Sequence, residues 1–264
     1  MFCLHRLPLR LHRPARRLAL GLAAGLVALA AAGASAQALT VSAAASLQNA
    51  MREIGSAYQT AHPGTVLRFN FGASGALLAQ IAQGAPVDVF ASADTETMDR
   101  ALARQLVDPA SRLDFARNEL VLVSPRREPA TLRGLADLAG ANTKRIAIGS
   151  PATVPAGHYA QAALERAGLW AAVRPKLVYA ENVRQSLNYV SRGEVDAAFV
   201  YRTDALLDAA TVRVDASVET ASPVRYPIAR VAASRQADAA RRFIAFVAGE
   251  PGQAVLARHG FGRP

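Results

Sequence analysis

Three short segments combine small residues with the start of a predicted helix. They are Ala43-Ala44-Ala45-Ser46-Leu47, Phe71-Gly72-Ala73-Ser74-Gly75 and Val154-Pro155-Ala156-Gly157. The first main-chain N–H groups of a helix have no intrahelical acceptor and lie at the positive end of the helix dipole, so such a start can bind an anion. Two of the segments add a serine hydroxyl. Several such starts in one chain, with no catalytic base beside them, indicate a protein that encloses a small oxyanion.

Each of these features also has an ordinary structural interpretation. The side chains of Ser46 and Ser74 are each predicted to cap a helix N-terminus. Pro155 is typical of the first turn of a helix. Tyr201, at the end of a predicted buried strand, is typical of a core aromatic residue. The anion hypothesis therefore rests on the set, because strand ends and helix starts converge at the cleft of an α/β fold.

Other chemistries find less support in the sequence. The segment at residues 72–76 is close to the nucleophile motif G-x-S-x-G, but Ala76 replaces the last glycine, so a secreted serine hydrolase using Ser74 is only an alternative. No G-x-x-x-x-G-K-[ST] phosphate loop is present. The histidines after the N-terminal segment are His62, His158 and His259, too scattered for a transition-metal site. We predict no enzymatic activity, no cofactor and no site for a free metal cation.

The N-terminal segment predicts export. Residues 1–17 contain five arginines and no acidic residue, residues 18–33 are apolar, and Ala34-Ser35-Ala36 fits the small-x-small rule of signal peptidase. The apolar run is shorter than the roughly 20 residues of a membrane-spanning helix. We predict a cleaved signal peptide over residues 1–36 and a periplasmic mature protein. Arg16-Arg17 leaves the twin-arginine route open beside the general secretory route.

Charge and cysteine content exclude several partners. The signal segment carries five of the 30 basic residues and none of the 20 acidic ones, so the mature sequence has 25 basic residues, a formal net charge of +5. Its basic residues are scattered, and pairs such as Arg126-Arg127 are too short for a nucleic-acid-binding stripe. The one cysteine, Cys3, lies in the signal segment, so the mature protein uses neither disulfides nor thiolate ligands. We predict no nucleic-acid partner.

Strand-like and helix-like runs alternate along the mature sequence. Strands are predicted at residues 39–41, 65–71, 87–90, 120–123, 145–149, 176–179 and 196–201. Most are followed by an amphipathic helical pattern, which is typical of an α/β fold with mostly parallel sheets and flanking helices. Removing 36 of the 264 residues leaves 228, enough for two lobes of roughly 100 residues each with a cleft between them.

Five ordered landmarks resemble the periplasmic molybdate-binding proteins of ABC transporters, over essentially the whole mature sequence. They are VSAAASL at 41–47, GAPVDVFASAD at 84–94, VPAGHYA at 154–160, ENVR at 181–184 and VY at 200–201. In similar proteins a tetrahedral dianion is bound without any charged side chain. The resemblance implies five ligand-binding residues: Ser46 and Ser74 through hydroxyl and N–H, Ala156 and Val183 through N–H, and Tyr201 through its hydroxyl.

The resemblance also implies an architecture and partners. Lobe one would comprise residues 38–117 and 227–264, and lobe two residues 118–226, in a periplasmic-binding-protein fold with an interlobe cleft. A monomer would capture molybdate, and tungstate, for delivery to a membrane ABC permease; another oxyanion such as sulfate is the alternative ligand. The sequence departs from the family at Gly75-Ala76, where hydroxyl residues are frequent, and at Arg202, which would bring a positive charge near the rim.

Overall fold

The computed structural model describes Phe2 and residues 38–129 and 131–264, so Cys3 and, apart from Phe2, the predicted signal peptide lie outside the described residues. Residues 38–264 contain two five-stranded sheets with helices packed against them. None of the helices within the described part of the chain is long and apolar enough to cross a membrane.

The first sheet combines parallel and antiparallel pairing. Its strands are β1 Leu39–Ala44, β2 Leu67–Gly72, β3 Val89–Ala91, β4 Leu113–Asn118 and β10 Val224–Arg230. They lie in the order β2-β1-β3-β10-β4. Strand β1 pairs in parallel with β2 and β3, whereas β10 is antiparallel to both β3 and β4. Four strands therefore run in one direction and β10 runs against them.

The second sheet repeats this arrangement. Its strands are β5 Leu120–Pro125, β6 Ile146–Gly149, β7 Leu177–Ala180, β8 Ala197–Tyr201 and β9 Val212–Val218. They lie in the order β7-β6-β8-β5-β9, with β6 parallel to β7 and β8, and β5 antiparallel to β8 and β9. In both sheets three parallel strands lie side by side, and the reversed strand pairs with the third of them.

Helices flank the two sheets, and several of them follow the carboxyl ends of the parallel strands. They are α1 Gln48–Ala61, α2 Ser74–Ala82, α3 Thr95–Ala103, α4 Pro155–Arg166, α5 Trp170–Val173, α6 Val183–Ser191, α7 Arg202–Leu207, α8 Ala237–Ala248 and α9 Glu250–Arg258. In α1 the apolar residues Met51, Ile54 and Tyr58 are buried, as their helical spacing predicts. The starts of α2, α4, α6 and α7 therefore face the same way as the strand ends that precede them.

The α/β fold class with flanking helices is confirmed. Strands β4, β9 and β10 and helices α5, α7 and α9 were not predicted. The chain leaves the first sheet after Asn118 and returns to it at Val224, where β10 pairs with β4. The division into two moving lobes stays a prediction.

Helix α4 approaches β6 through two glycines. A Cβ added to Gly157 would lie 1.8 Å from the carbonyl oxygen of Gly149 and 2.5 Å from its carbonyl carbon. Because both contacts are main chain, neither can rotate away. Gly157 therefore sets how closely the first turn of α4, which contains Ala156, sits against the end of β6.

We expect Gly157→Ala to lower the free energy of unfolding by about 1–3 kcal/mol or more, because the added methyl must push α4 off β6. Urea denaturation measures the change. Gly134→Ala is the matched control: an added Cβ there meets nothing within 4 Å, so its effect should stay within about 0.5 kcal/mol. Equal stability of the two variants would show that the close contact is not a constraint.

Candidate binding site

The carboxyl ends of six strands surround one small cavity with an accessible volume of about 10 Å³. The first sheet contributes residues after β1, β2 and β3, and the second sheet residues after β6 and β7 and at the end of β8. The five residues predicted from the sequence all line it: Ser46, Ser74, Ala156, Val183 and Tyr201. Each is at most 4 % exposed, so the cavity is screened from solvent. Their role as ligand donors stays a prediction.

Neither serine acts as the predicted helix cap. The N-cap of α2 is Ala73, and the Oγ of Ser74 instead accepts a hydrogen bond from the N–H of Ala93 at 3.0 Å. Ser46 lies in a 3-10 turn before α1, and its Oγ is 3.0 Å from the hydroxyl of Tyr226. The cap hypothesis was wrong because both hydroxyls find distant partners across the fold. The Oγ of Ser74 already accepts one bond, so its hydrogen is free to be donated toward the cavity.

Main-chain donors come from two helix starts in the second half of the chain. Ala156 is the second residue of α4, after Pro155, and Val183 is the first residue of α6. N–H groups in the first turn have no intrahelical acceptor and lie at the positive end of the helix dipole. The side chain of Asn182 fixes the start of α6 by accepting from the N–H of Gln185 at 3.1 Å.

Tyr201 closes the cavity from the end of β8. Its side chain is buried, and its hydroxyl is 3.4 Å from the carbonyl oxygen of Ala93, a long and weak contact. Burial raises the pKa of Tyr201 well above its ordinary value. The hydroxyl is therefore protonated at physiological pH and is available as a donor to an acceptor placed in the cavity.

No charged side chain lines the cavity among the described residues. Arg184, next to Val183, lies one layer outward. Its guanidinium donates to Oδ1 of buried Asp204 at 2.6 Å, to Oδ1 of Asn49 at 3.0 Å and to the carbonyl of Ser46 at 3.1 Å. Burial raises the pKa of Asp204, and the positive charge of Arg184 opposes that rise. Arg184 belongs to the half of the chain that contains the second sheet, and its contacts with Asn49 and Ser46 connect it to the half that contains the first sheet.

The two departures from the family pattern have different outcomes. The N–H of Gly75 donates to the carbonyl of Thr153 at 3.0 Å, and a Cβ at Gly75 would lie 2.9 Å from that main chain. Glycine therefore permits close contact between the two halves beside Ser74. Arg202 was expected near the rim, but it pairs with Glu119 and donates to Ser217 at 3.0 Å. Its charge is directed at these partners and not at the cavity.

The geometry gives no support to the serine hydrolase alternative. In the described chain each histidine after residue 37 is engaged elsewhere: His62 with the Tyr58 carbonyl at 3.0 Å, His158 with Glu96 at 2.9 Å, and His259 with Glu53 at 2.7 Å. Within the same residues there is no group of three or more His, Cys, Asp or Glu side chains that could hold a metal ion. Ser74 therefore lacks a histidine base in the part of the chain that is described.

Sequence reasoning missed several residues that support the site. Tyr226 contacts Ser46 across 180 positions of sequence, and no local pattern points to it. The main chain of Ala93 contacts two of these side chains: its N–H donates to Ser74, and its carbonyl oxygen lies near the hydroxyl of Tyr201. Arg184 could have been identified from the sequence, because it is the last residue of the ENVR landmark and follows Val183.

Two α/β halves with a cavity between their strand ends are the architecture of solute-binding proteins. The chain belongs to the family described as bacterial extracellular solute-binding protein, whose model matches residues 39–262. Its similarity to the molybdate-binding protein ModA of Escherichia coli (strain K12) is 35% identity over 229 residues, covering 84% of this chain and 88% of that protein. The family resemblance seen in the landmarks is confirmed.

Solved structures share the architecture. The Azotobacter vinelandii periplasmic molybdate-binding protein is 25% identical, with a TM-score of 0.74 over 86% of this chain and 99% of that one. The sulfate-binding protein SubI of Mycobacterium tuberculosis H37Rv has a TM-score of 0.75 over 85% of this chain and 86% of that one, at 17% identity. The latter likeness concerns the fold alone.

We expect Arg184→Met to lower the free energy of unfolding by about 3–5 kcal/mol, because it leaves buried Asp204 without its counter-ion. The loss should grow as pH rises above about 4. Without Arg184, burial raises the pKa of Asp204 further, so the folded variant holds this proton more tightly than the unfolded chain does and loses stability as the pH rises. Urea denaturation from pH 5 to pH 8 measures this.

Two controls separate the buried charge from loss of packing. Adding Asp204→Asn to Arg184→Met removes the lone carboxylate and should restore most of the lost stability. Arg202→Met breaks the part-exposed pair with Glu119 and should cost at most about 1 kcal/mol. A loss at Arg184 that is independent of pH and unrelieved by Asp204→Asn would contradict this account.

Proposed function

We propose that this protein is a periplasmic solute-binding protein that captures molybdate in the cavity between its two halves. It binds tungstate through the same contacts, delivers the anion to an ABC permease, acts as a monomer and catalyses no reaction. The observation that carries the proposal is the convergence of three hydroxyls and two helix starts on one buried cavity. Relatives named as molybdate-binding proteins support the choice of anion.

In this proposal the dianion is bound by uncharged donors only. The hydroxyls of Ser46, Ser74 and Tyr201 and the N–H groups of Ala156 and Val183 would each donate to an anion oxygen. Hydrogen bonds to a charged acceptor are about twice as strong as those between neutral groups. The starts of α4 and α6 add the positive ends of their dipoles, which favour an anion without a formal counter-charge.

We further propose that the two halves are lobes that close on the ligand. The lobes would meet at Glu119 and within residues 219–223, where the chain changes sheet. Contacts that would join them in the closed form include Gly75 N–H to Thr153, Arg184 to Ser46, and His158 to Glu96. Opening breaks these contacts and releases the anion, as in hinge closure of other binding proteins. Export would follow from cleavage before Gln37.

The first test is a calorimetric titration of the mature protein with molybdate, tungstate and sulfate. All three are tetrahedral dianions that accept the same hydrogen bonds, so discrimination must come from size. Mo–O and W–O bonds are longer than S–O bonds, and a rigid ring of donors set for the larger ions leaves sulfate with stretched bonds. We expect tight binding of molybdate and tungstate and weak binding of sulfate. Equal affinity for sulfate would overturn the assignment to molybdate.

Single-residue variants test where the anion binds. Each lost bond to the anion is worth about 1.5–3 kcal/mol, so Ser74→Ala and Tyr201→Phe should each weaken molybdate binding by roughly 10- to 100-fold. Arg202→Ala is the control and should change affinity little, because Arg202 is paired with Glu119. The titrations are run at two salt concentrations. Loss of binding in Arg202→Ala, with Ser74→Ala unaffected, would place the anion on arginine instead.

A further inference from the structure

A chain of polar side chains runs outward from Ser46, away from the cavity. The Oγ of Ser46 is 3.0 Å from the hydroxyl of Tyr226. That hydroxyl is in turn 3.1 Å from Nδ2 of Asn118, which also donates to Oγ1 of Thr203 at 2.8 Å. Tyr226 is fully buried and lies in β10, whereas Asn118 is the last residue of β4. The cavity is lined by Ser46 but not, among the described residues, by Tyr226 or Asn118.

The orientation of the Asn118 amide is fixed by its other end. The Oδ1 of Asn118 accepts a hydrogen bond from the main-chain N–H of Glu119 at 2.9 Å. A flipped amide would set two donors against each other, so Nδ2 must face Tyr226 and Thr203. Since an amide nitrogen only donates, the oxygen of Tyr226 is the acceptor in that bond.

The direction of the next bond follows from the number of hydrogens. The phenol of Tyr226 has one hydrogen, and burial raises its pKa well above the ordinary value, so this hydrogen is retained. If Ser46 donated to Tyr226, the phenol hydrogen would be buried without an acceptor among the described residues, which costs free energy. The favoured arrangement has Tyr226 donating to Ser46. The hydroxyl hydrogen of Ser46 is then free for the cavity.

We propose that Asn118 and Tyr226 are positioning residues that hold the Ser46 hydroxyl as a donor toward the ligand. The proposal rests on the proposed function, because it assigns Ser46 to the anion. It adds a source of specificity for oxyanions that carry no proton. The oxygens of Ser46 and Ser74 each already accept one bond, from Tyr226 and Ala93, so each serine has one acceptor position fewer for a protonated oxyanion such as hydrogenphosphate.

A double-mutant cycle tests the proposal, with molybdate as the titrant. Tyr226→Phe keeps the buried ring and removes one hydroxyl, and it should weaken molybdate binding about tenfold. Ser46→Ala should weaken it by about 10- to 100-fold. The double variant should bind as Ser46→Ala does, because Tyr226 acts only through Ser46. Losses that simply multiply in the double variant would overturn the proposal.

Two further variants control for packing and for the direction of the bonds. Tyr58→Phe removes a hydroxyl from another buried tyrosine, which packs on Phe243 away from the cavity, and should leave affinity unchanged. Asn118→Asp keeps the shape but replaces the donor with an acceptor. It should weaken binding more in the wild-type background than beside Ser46→Ala, where only its charge acts. Equal losses in both backgrounds would contradict a hydrogen bond that Tyr226 donates to Ser46.

The ratio of the affinities for two anions distinguishes the proposal from general destabilisation, which would lower both affinities and leave their ratio unchanged. In Tyr226→Phe the oxygen of Ser46 gains a second open acceptor position, so the ratio of molybdate to hydrogenphosphate affinity should fall at pH 8. An unchanged ratio, with both affinities reduced equally, would overturn the proposal. A wild-type protein that binds none of molybdate, tungstate and sulfate would overturn the proposed function itself. Additive losses in a protein that binds molybdate would overturn only the roles of Asn118 and Tyr226.

Discussion

Burying an anion without a counter-ion requires hydrogen-bond donors on every side of it. Removing a charge from water costs far more free energy than one hydrogen bond returns, so a single helix start cannot do this. The cavity in this protein draws on the ends of six strands from two sheets, and the hydroxyls of Ser46 and Ser74 are hydrogen-bonded to the protein. The proposed ligand would therefore replace its hydration shell with donors that each half holds in place and that closure brings together.

The two sheets meet this requirement by repeating one topology. In each, three parallel strands end toward the cavity, and a reversed strand, β10 or β5, pairs with the third. The single residue Glu119 joins the sheets at one crossing. Because neither sheet surrounds the cavity alone, contacts between the halves such as Arg184 to Ser46 determine whether the donors converge. Binding and closure are in this way one event in the proposed mechanism.

Much of the fold could be predicted from periodicity, and the failures have physical causes. The spacing of Met51, Ile54 and Tyr58 indicated α1, and apolar runs indicated the parallel strands. Strand β10 was missed because Pro227 lies in its middle, and proline is unusual in a central strand; the pairing shifts register there. Helix caps were assigned to Ser46 and Ser74 because local sequence cannot show that Tyr226 and Ala93 reach their hydroxyls through tertiary contacts.

The most direct test of the central claim is to locate the heavy atom of the anion in a crystal of the mature protein grown with tungstate. Diffraction at the tungsten absorption edge reveals that atom independently of any assumption about the site. The account predicts one strong anomalous peak in the cavity, with its oxygens within hydrogen-bond distance of Ser46, Ser74 and Tyr201. A peak at surface arginines, with the cavity empty, would contradict it.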